Sequence, residues 1–498
     1  MQLTGQDLSL ADVAAVARNH RAVALAPEAA ERMRASRAVV EQVVAEGRTV
    51  YGVTTGFGDL STIRIEPAQT AQLQRNLVRS HAAGVGEPLP VEVVRAMLLL
   101  RANALAVGLS GVRPEVVELL IGMLNGDVHP VVPSRGSVGA SGDLAPLAHL
   151  ALVLIGEGEA WREDAGPGPG GEALGRAGLQ PLTLEAKEGL ALLNGTQLMA
   201  SLAALALLDA RRLSLSADVI GAMSLEAMEG TATAFDDMLI AARPHPGQQA
   251  VAAHLRALLA GSQIGASHAE SGHKVQDAYS LRCIPQVHGA VRDALDQLER
   301  VLVVEMNAAT DNPLVFPSGE VISGGNFHGE PLALAIDYAK TAVIELASIS
   351  ERRTARLVDA HLSGLPAFLS DAPGLRSGQM IAQYTAAALV NELQTLAHPA
   401  SVDTIPTSAN QEDHVSMGAT GALHLREVVD RTEAVLAIEA LCAAQGLDFR
   451  KPMQPGAGVS RGHAAVRARV PHLEEDRPPA DDIAAVRQLL HAGELAIP

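Results

Sequence analysis

The sequence predicts a mostly α protein, with a bundle of long helices in its second half and an N-terminal helical subdomain carrying polar, glycine-rich loops. Helical periodicity dominates and clear strand alternation is rare. The second-half patterns exceed the average helix length of about 12 residues, as bundle helices do. At 498 residues the chain is long for one core, so two subdomains are expected, 1–198 and 199–498.

Taking the elements in order, residues 27–47 place Met33, Val40, Val43 and Val44 on one face, with proline near the start and glycine at the end. Residues 165–173 (AGPGPGGEA) read as a surface loop without chemistry. Residues 189–208 (GLALLNGTQLMASLAALALL) are long and uncharged enough to raise the question of a membrane span. Asn194, Gly195, Thr196 and Gln197 inside that stretch would be costly in lipid, so it reads as a buried helix preceded by a polar loop. Long helices are expected over 285–310, 330–359, 378–396 and 417–446. In the first, Val287, Val291, Ala294, Leu298, Val301 and Glu305 step by threes and fours, as a seam for a neighbouring helix does.

The formal charge of −18 argues against nucleic acid or an anionic membrane as a partner. Cys283 and Cys442 are the only cysteines, which fits a reducing cytosol and rules out a disulfide framework. The first twenty residues lack a basic segment followed by an apolar one, so no signal peptide is expected and the protein reads as cytoplasmic.

Polar signals gather between the helices: TVYGVTTGFGDL (49–60), RSHAAGVGE (79–87), GSVGASGDLAP (136–146), LLNGTQ (192–197), KVQDAYSLRCIPQ (274–286), SGGNFHGE (323–330) and TSANQEDHVSMG (407–418). Of eleven aromatic residues, Tyr51, Phe57, Tyr279 and Phe327 fall in these loops, whereas Tyr338 and Tyr384 read as structural residues on apolar helix faces. Aromatics held in polar loops point toward a ligand.

GSVGASGDLAP admits an anion-binding turn, a plain helix cap or a backbone that reacts with itself. A phosphate loop wants a preceding strand and a nearby lysine; the upstream VHPVVPSRGSVG carries two prolines, and no lysine precedes Lys187. Zinc wants close His or Cys spacing, and His268 and His273 stand five apart with no cysteine near, so no metal is expected. Pyridoxal phosphate wants a Schiff-base lysine; Lys274 lies in a polar loop, but nothing nearby forms a phosphate cup. In the third chemistry the Gly142 nitrogen attacks the Ala140 carbonyl carbon, where the missing Cβ leaves the approach open. Loss of water, then of the Ser141 hydroxyl, leaves an electrophilic methylidene conjugated to a carbonyl. A helix beginning after Asp143 and Pro146 would aim its positive end at it.

GSVGASGDLAPLAHL, NGTQ, VQDAYSLRCIPQVHG, DNPLVF, ISGGNFH and PTSANQEDHVSMG, in this order from Tyr51 to beyond Met417, resemble the aromatic amino acid ammonia-lyase family. The resemblance implies 4-methylidene-imidazole-5-one (MIO), formed autocatalytically from Ala140, Ser141 and Gly142 without an external cofactor. It also implies a helical homotetramer whose long helices form a common core, with each active site built from several subunits. By the same resemblance Asn194 donates to the prosthetic oxygen and Arg282 holds the substrate carboxylate. Tyr51 and Tyr279 match tyrosines of proton transfer, Tyr51 being the first choice for the base. Gln276, Asn326 and Phe327 line the site, and His81 and Glu412 stand near the substrate ring. Glu412 and Asp413 also suit a helix start. His328 and His414 read as structural, and His149 as a satisfied core histidine.

The pair Ser80-His81 separates substrates. Relatives using phenylalanine resemble Phe-Leu there, and those using tyrosine His-Leu. His81 and Glu412 instead offer polar partners to an imidazole, and each left unpaired by an apolar ring costs about 1–3 kcal/mol. L-Histidine is the expected substrate, with trans-urocanate and ammonia as products. A tyrosine or phenylalanine ammonia-lyase or an aminomutase uses the same electrophile; a catalytically silent helical scaffold would need neither Ala140-Ser141-Gly142 nor Tyr51 nor Arg282.

Overall fold

The computed structural model describes residues 1–56, 65–66, 69–162, 166–269 and 275–497. Phe57, His273 and Lys274 therefore lie outside the described residues. Among those described, 20 α-helices account for most of the chain, and the strands are short and paired two by two. This is the mostly α architecture expected. No helix of the described residues is long and apolar enough to cross a membrane.

Two compact units emerge, each assembled from three stretches of chain. The first comprises residues 1–205, 298–337 and 399–423. Its central helix, Val91–Ala106, buries every residue from Val93 to Ala106 and packs against Leu10–Ala17, Pro27–Ala45 and Pro114–Asn125. The helix Pro27–Ala45 has proline in its first turn, and the chain leaves it through Gly47 at φ +63°, a left-handed conformation that glycine adopts without steric cost. Its buried Val39, Val40 and Val43 form a cluster with Val53, Ala186 and Val315. All four two-stranded sheets belong to this unit. One pairs Glu159–Arg162 with Gly166–Pro169, and a helix follows at Gly170–Arg176, so residues 166–173 of the stretch expected as a plain loop form a paired strand running into a helix.

The apolar run at 189–208 is two helices rather than one. Glu188–Leu193 stops at Asn194, whose backbone is extended, and Gln197–Ala227 begins after Gly195 and Thr196. The polar residues interrupt the run, so the loop lies within it.

The second unit comprises residues 206–297, 338–398 and 424–498. Here Pro246–Leu258 packs on Ala457–Arg469, which in turn packs on Pro479–Ala492. Arg353 and Glu439, both fully buried, form an ion pair with one N–O distance of 2.8 Å, and Ser224 donates to the same carboxylate at 2.6 Å.

The long helices span Ile284–Met306, Glu330–Val358, Met380–Leu396 and Gly418–Asp448. The buried stripe of the first is Val291, Ala294, Leu295, Leu298, Leu302 and Met306. It is displaced from the expected seam, because Val287, Val301 and Glu305 are only half-buried. Tyr338 and Tyr384 also depart from expectation: they sit on helices but are 54% and 61% exposed in the single chain, as are Val304 and Leu334 beyond half.

Candidate active site

The glycine-rich loop at 136–143 is held from several sides within the first unit. Ser416 Oγ and the Gly329 N–H donate to the Gly139 carbonyl at 3.0 and 3.2 Å, and the Met417 N–H donates to Val138 O at 2.9 Å. Gly142 has φ +74°, and a Cβ there would meet the Gly195 carbonyl oxygen at 2.2 Å. Only glycine fits where the two loops cross.

Asp143 ties that crossing together. Its backbone N–H donates to Gly195 O at 2.7 Å. Its carboxylate accepts from the Leu198 and Met199 N–H groups at 2.9 and 3.0 Å and from Ser137 Oγ at 2.7 Å. Asp143 stands directly before the helix Leu144–Leu154, yet its side chain caps the start of Gln197–Ala227 instead. Burial pushes its carboxyl up to about 6, against the pull of the hydroxyl and amide donors.

Asn194 Nδ2 donates to Ser141 O at 2.7 Å. Its side-chain oxygen is buried without a hydrogen-bond partner among the described residues. Behind it, fully buried Arg101 donates to the Asn194 carbonyl at 2.8 Å and to Gln197 Oε1 at 3.0 Å. Burial lowers the Arg101 pKa to about 10, so it stays cationic at neutral pH. Thr196 donates to Glu305 at 2.5 Å, and burial raises the pKa of that carboxyl.

On the opposite side, Ser141 Oγ donates to Glu412 Oε1 at 2.7 Å, and Thr407 Oγ1 donates to Glu412 Oε2 at 2.6 Å. Glu412 and Asp413 precede the helix Gly418–Asp448 by several residues and do not start it; Glu412 instead reaches back to the glycine loop. His81, in the last turn of Thr70–His81, places Nδ1 2.9 Å from Leu77 O, and burial lowers its pKa. The carbonyl requires a donor, so Nδ1 carries the proton and Nε2 is left as an acceptor.

A cavity of about 1530 Å³ brings together Tyr51, His81, Ala140, Ser141, Asn194, Phe327 and Glu412. Leu73, Leu77, Leu144, Leu190 and Leu193 supply its apolar wall. Asn326 is exposed and does not line it. Neither do Gln276, Tyr279 and Arg282. Tyr279 opens a four-residue helix, Tyr279–Arg282, rather than lying in a loop, and is 71% exposed with the Arg282 guanidinium 4.7 Å from its ring centre.

His328 and His414, read from the sequence as structural, do line the cavity, with parallel rings 5.8 Å apart. The Glu330 N–H donates to His328 Nδ1 at 3.3 Å, and Nε2 faces the His414 carbonyl at 3.1 Å, which places the ring hydrogen on Nε2. Asn312 and Ser323 join them in the wall. Apart from Asn312, these residues lie in polar loops already singled out. His149, half-buried, accepts from the Gly84 N–H at 3.1 Å, as a satisfied structural histidine does.

The family described as aromatic amino acid lyase matches residues 8–468. The histidine ammonia-lyase of Anaeromyxobacter sp. (strain K) is 58% identical, the alignment covering 99% of each chain. The solved histidine ammonia-lyase of Trypanosoma cruzi is 45% identical with a TM-score of 0.92, over 99% of this chain and 94% of that one. A tyrosine aminomutase from Streptomyces globisporus is 39% identical with a TM-score of 0.94, over 99% and 97% of the two chains.

Proposed function

The chain belongs to the aromatic amino acid lyase family, and on that premise we propose that it eliminates ammonia from L-histidine to give trans-urocanate. The observation that carries the choice of substrate is the shared wall: His81 and Glu412 line the same cavity as Ser141. Relatives named histidine ammonia-lyase at 54–58% identity support it.

Ala140, Ser141 and Gly142 suit MIO formation. Gly142 sits in a cradle that a Cβ would fill, and Asn194 already donates to the Ser141 carbonyl. The group supplies an electrophilic carbon that draws electrons from the substrate and eases loss of the amine.

The chain's own residues do the rest. Tyr51, which lines the same cavity as Ser141, removes the β-hydrogen as a proton. Arg282 grips the substrate carboxylate through two parallel hydrogen bonds, with Gln276 lining the site and Tyr279, its ring centre 4.7 Å from the guanidinium, as the second tyrosine of proton transfer. The cavity of one chain does not include these three. A second copy supplies them in a homotetramer, and the exposed Val304, Leu334, Tyr338 and Tyr384 provide apolar helix surface for that assembly. The enzyme works in the cytoplasm on a small molecule.

Growth of the urocanate absorbance band after adding L-histidine tests the activity. Side-by-side kcat/KM values for L-histidine, L-tyrosine and L-phenylalanine, with product analysis for β-amino acids, test it against an aminomutase or a different lyase. A preference for tyrosine or phenylalanine refutes the histidine assignment, and no turnover of any of the three returns the silent scaffold.

A further inference from the structure

One contact is left unexplained by a Glu412 that serves substrate alone. Its Oε1 accepts the Ser141 hydroxyl at 2.7 Å, an atom that the mature prosthetic group no longer has. The carboxylate is also well fixed. Thr407 donates to Oε2 at 2.6 Å, and the Thr407 and Glu412 backbones pair in both directions, at 3.0 and 3.3 Å.

Resting on the lyase reading, we infer that Glu412 is also a catalytic residue of maturation, carrying the proton through the second dehydration, at Ser141. Ring closure precedes it. The Gly142 nitrogen bonds to the Ala140 carbonyl carbon, and the Ala140 oxygen leaves as water with one hydrogen from the Gly142 nitrogen and one from the Ser141 nitrogen. Ser141 Cα then lies between a C=N and a C=O group, which acidifies its hydrogen. Glu412 takes that hydrogen as a proton. The released pair forms the Cα=Cβ bond, the Cβ–Oγ bond breaks, and the proton passes from Glu412 to the departing Oγ. One water leaves, Glu412 ends as a carboxylate, and no oxidant or reductant enters.

The geometry suits a proton carrier. The carboxylate already touches the oxygen that has to be protonated, within the reach a general acid–base group needs. Departure of Oγ then vacates Oε1 for the substrate ring, while Oε2 stays with Thr407. Glu412 thus serves the building of the site and its use in succession.

The test follows intact-protein mass over time after cell-free synthesis of the wild type, Glu412→Gln and Glu412→Asp. A wild type that never falls two waters below its translated mass refutes the lyase reading itself. With that deficit present in the wild type, Glu412→Gln keeps the shape and an acceptor oxygen but takes up no proton at neutral pH. It is expected to accumulate a species one water heavier than the wild type, the second loss being slowed by about 10²-fold or more, and Glu412→Asp to mature at an intermediate rate. A Gln protein that reaches the two-water deficit at the wild-type rate overturns the inference. So does a folded Gln protein that loses neither water, because the block then lies at ring closure. If the Gln protein does not fold, the Asp variant decides in the same way: a delayed second loss supports the role, and a wild-type time course overturns it.

Discussion

Asn194 donates its side-chain amide to the Ser141 carbonyl at 2.7 Å, and Arg101 clamps the Asn194 backbone from behind at 2.8 Å. A donor already aimed at the oxygen, on a backbone fixed by Arg101, needs little reorganisation when charge develops there, which is where oxyanion-type stabilisation is strongest. Asn194→Ala is expected to lower kcat by about 10²–10³ with little change in KM. Steady-state kinetics on L-histidine check it. An unchanged kcat in folded protein would reduce Asn194 to a loop-shaping residue.

The Gly142 crossing makes a separate prediction. Alanine there would carry a Cβ 2.2 Å from Gly195 O at a backbone angle of +74°, and a left-handed conformation alone costs a non-glycine residue about 1–2 kcal/mol. Gly142→Ala should therefore keep its full translated mass and show no turnover. Intact mass settles it, since a two-water deficit in this variant would mean that the loop has room to spare.

Much of this was legible in the sequence because it depends on local signals. Proline and glycine bracketed the helix Pro27–Ala45, and periodicity placed the long helices to within a few residues except at the end of Ile284–Met306, where the chain leaves the helix four residues before Thr310. The loops holding Tyr51, His81, Ser141, Asn194, Phe327 and Glu412 announced themselves by small and polar residues, and the cavity joins them. Long-range partners left no such trace. Nothing in the order of residues says that Asp143 caps a helix starting at Gln197 rather than its own, or that Glu412 reaches Ser141. Exposure is equally silent: Tyr338 and Tyr384 follow helical spacing, yet spacing does not say whether the facing surface belongs to the same chain.

The buried pair Arg353–Glu439 should behave as a coupled unit. Removing one partner leaves a charge in the core, at a cost of about 3–5 kcal/mol, whereas replacing both by apolar residues of similar volume is often neutral or stabilising. Arg353→Met is thus expected to lower the denaturation midpoint sharply, and Arg353→Met with Glu439→Leu to recover much of the loss. Denaturant titration of the single and double variants checks it. A double variant weaker than the single would assign the stability to the pair's own bonds.

Glu226 gives a pH dependence with a definite sign. Both its oxygens accept from the Gly456 N–H, at 3.1 and 2.9 Å, at the start of the helix Ala457–Arg469. Burial outweighs those bonds and pushes the carboxyl up to about 7 from 4.5. The folded state therefore holds a proton that the unfolded state has released between these values. Its contribution is fully present below pH 4.5 and is lost as pH rises to about 7, by on the order of 3 kcal/mol. Glu226→Gln, which keeps an acceptor without the charge, should flatten this part of the stability profile and raise Tm above pH 7 relative to the wild type. Thermal melts from pH 5 to 8 are the measurement, and parallel profiles for the two proteins would contradict it.

The His81 tautomer yields a prediction about substrate choice. Because Leu77 O occupies His81 Nδ1–H and burial disfavours the charged ring, Nε2 is left as an acceptor on a residue of the cavity wall. An imidazole substrate brings an N–H to meet it, and a benzene ring brings nothing. Leaving such a buried group unpaired costs about 1–3 kcal/mol, or roughly 5- to 150-fold in kcat/KM. His81→Leu removes the acceptor and extends the apolar surface of Leu73, Leu77 and Leu190. The variant should lose L-histidine efficiency by a factor in that range while gaining on L-phenylalanine, so that the ratio of the two moves by more than either alone. Glu412 keeps its hydrogen bond from Thr407 in the variant, so a uniform fall for all substrates would point to damaged folding of the helix Thr70–His81 rather than lost recognition. An unchanged ratio would place the recognition of the ring elsewhere in the wall.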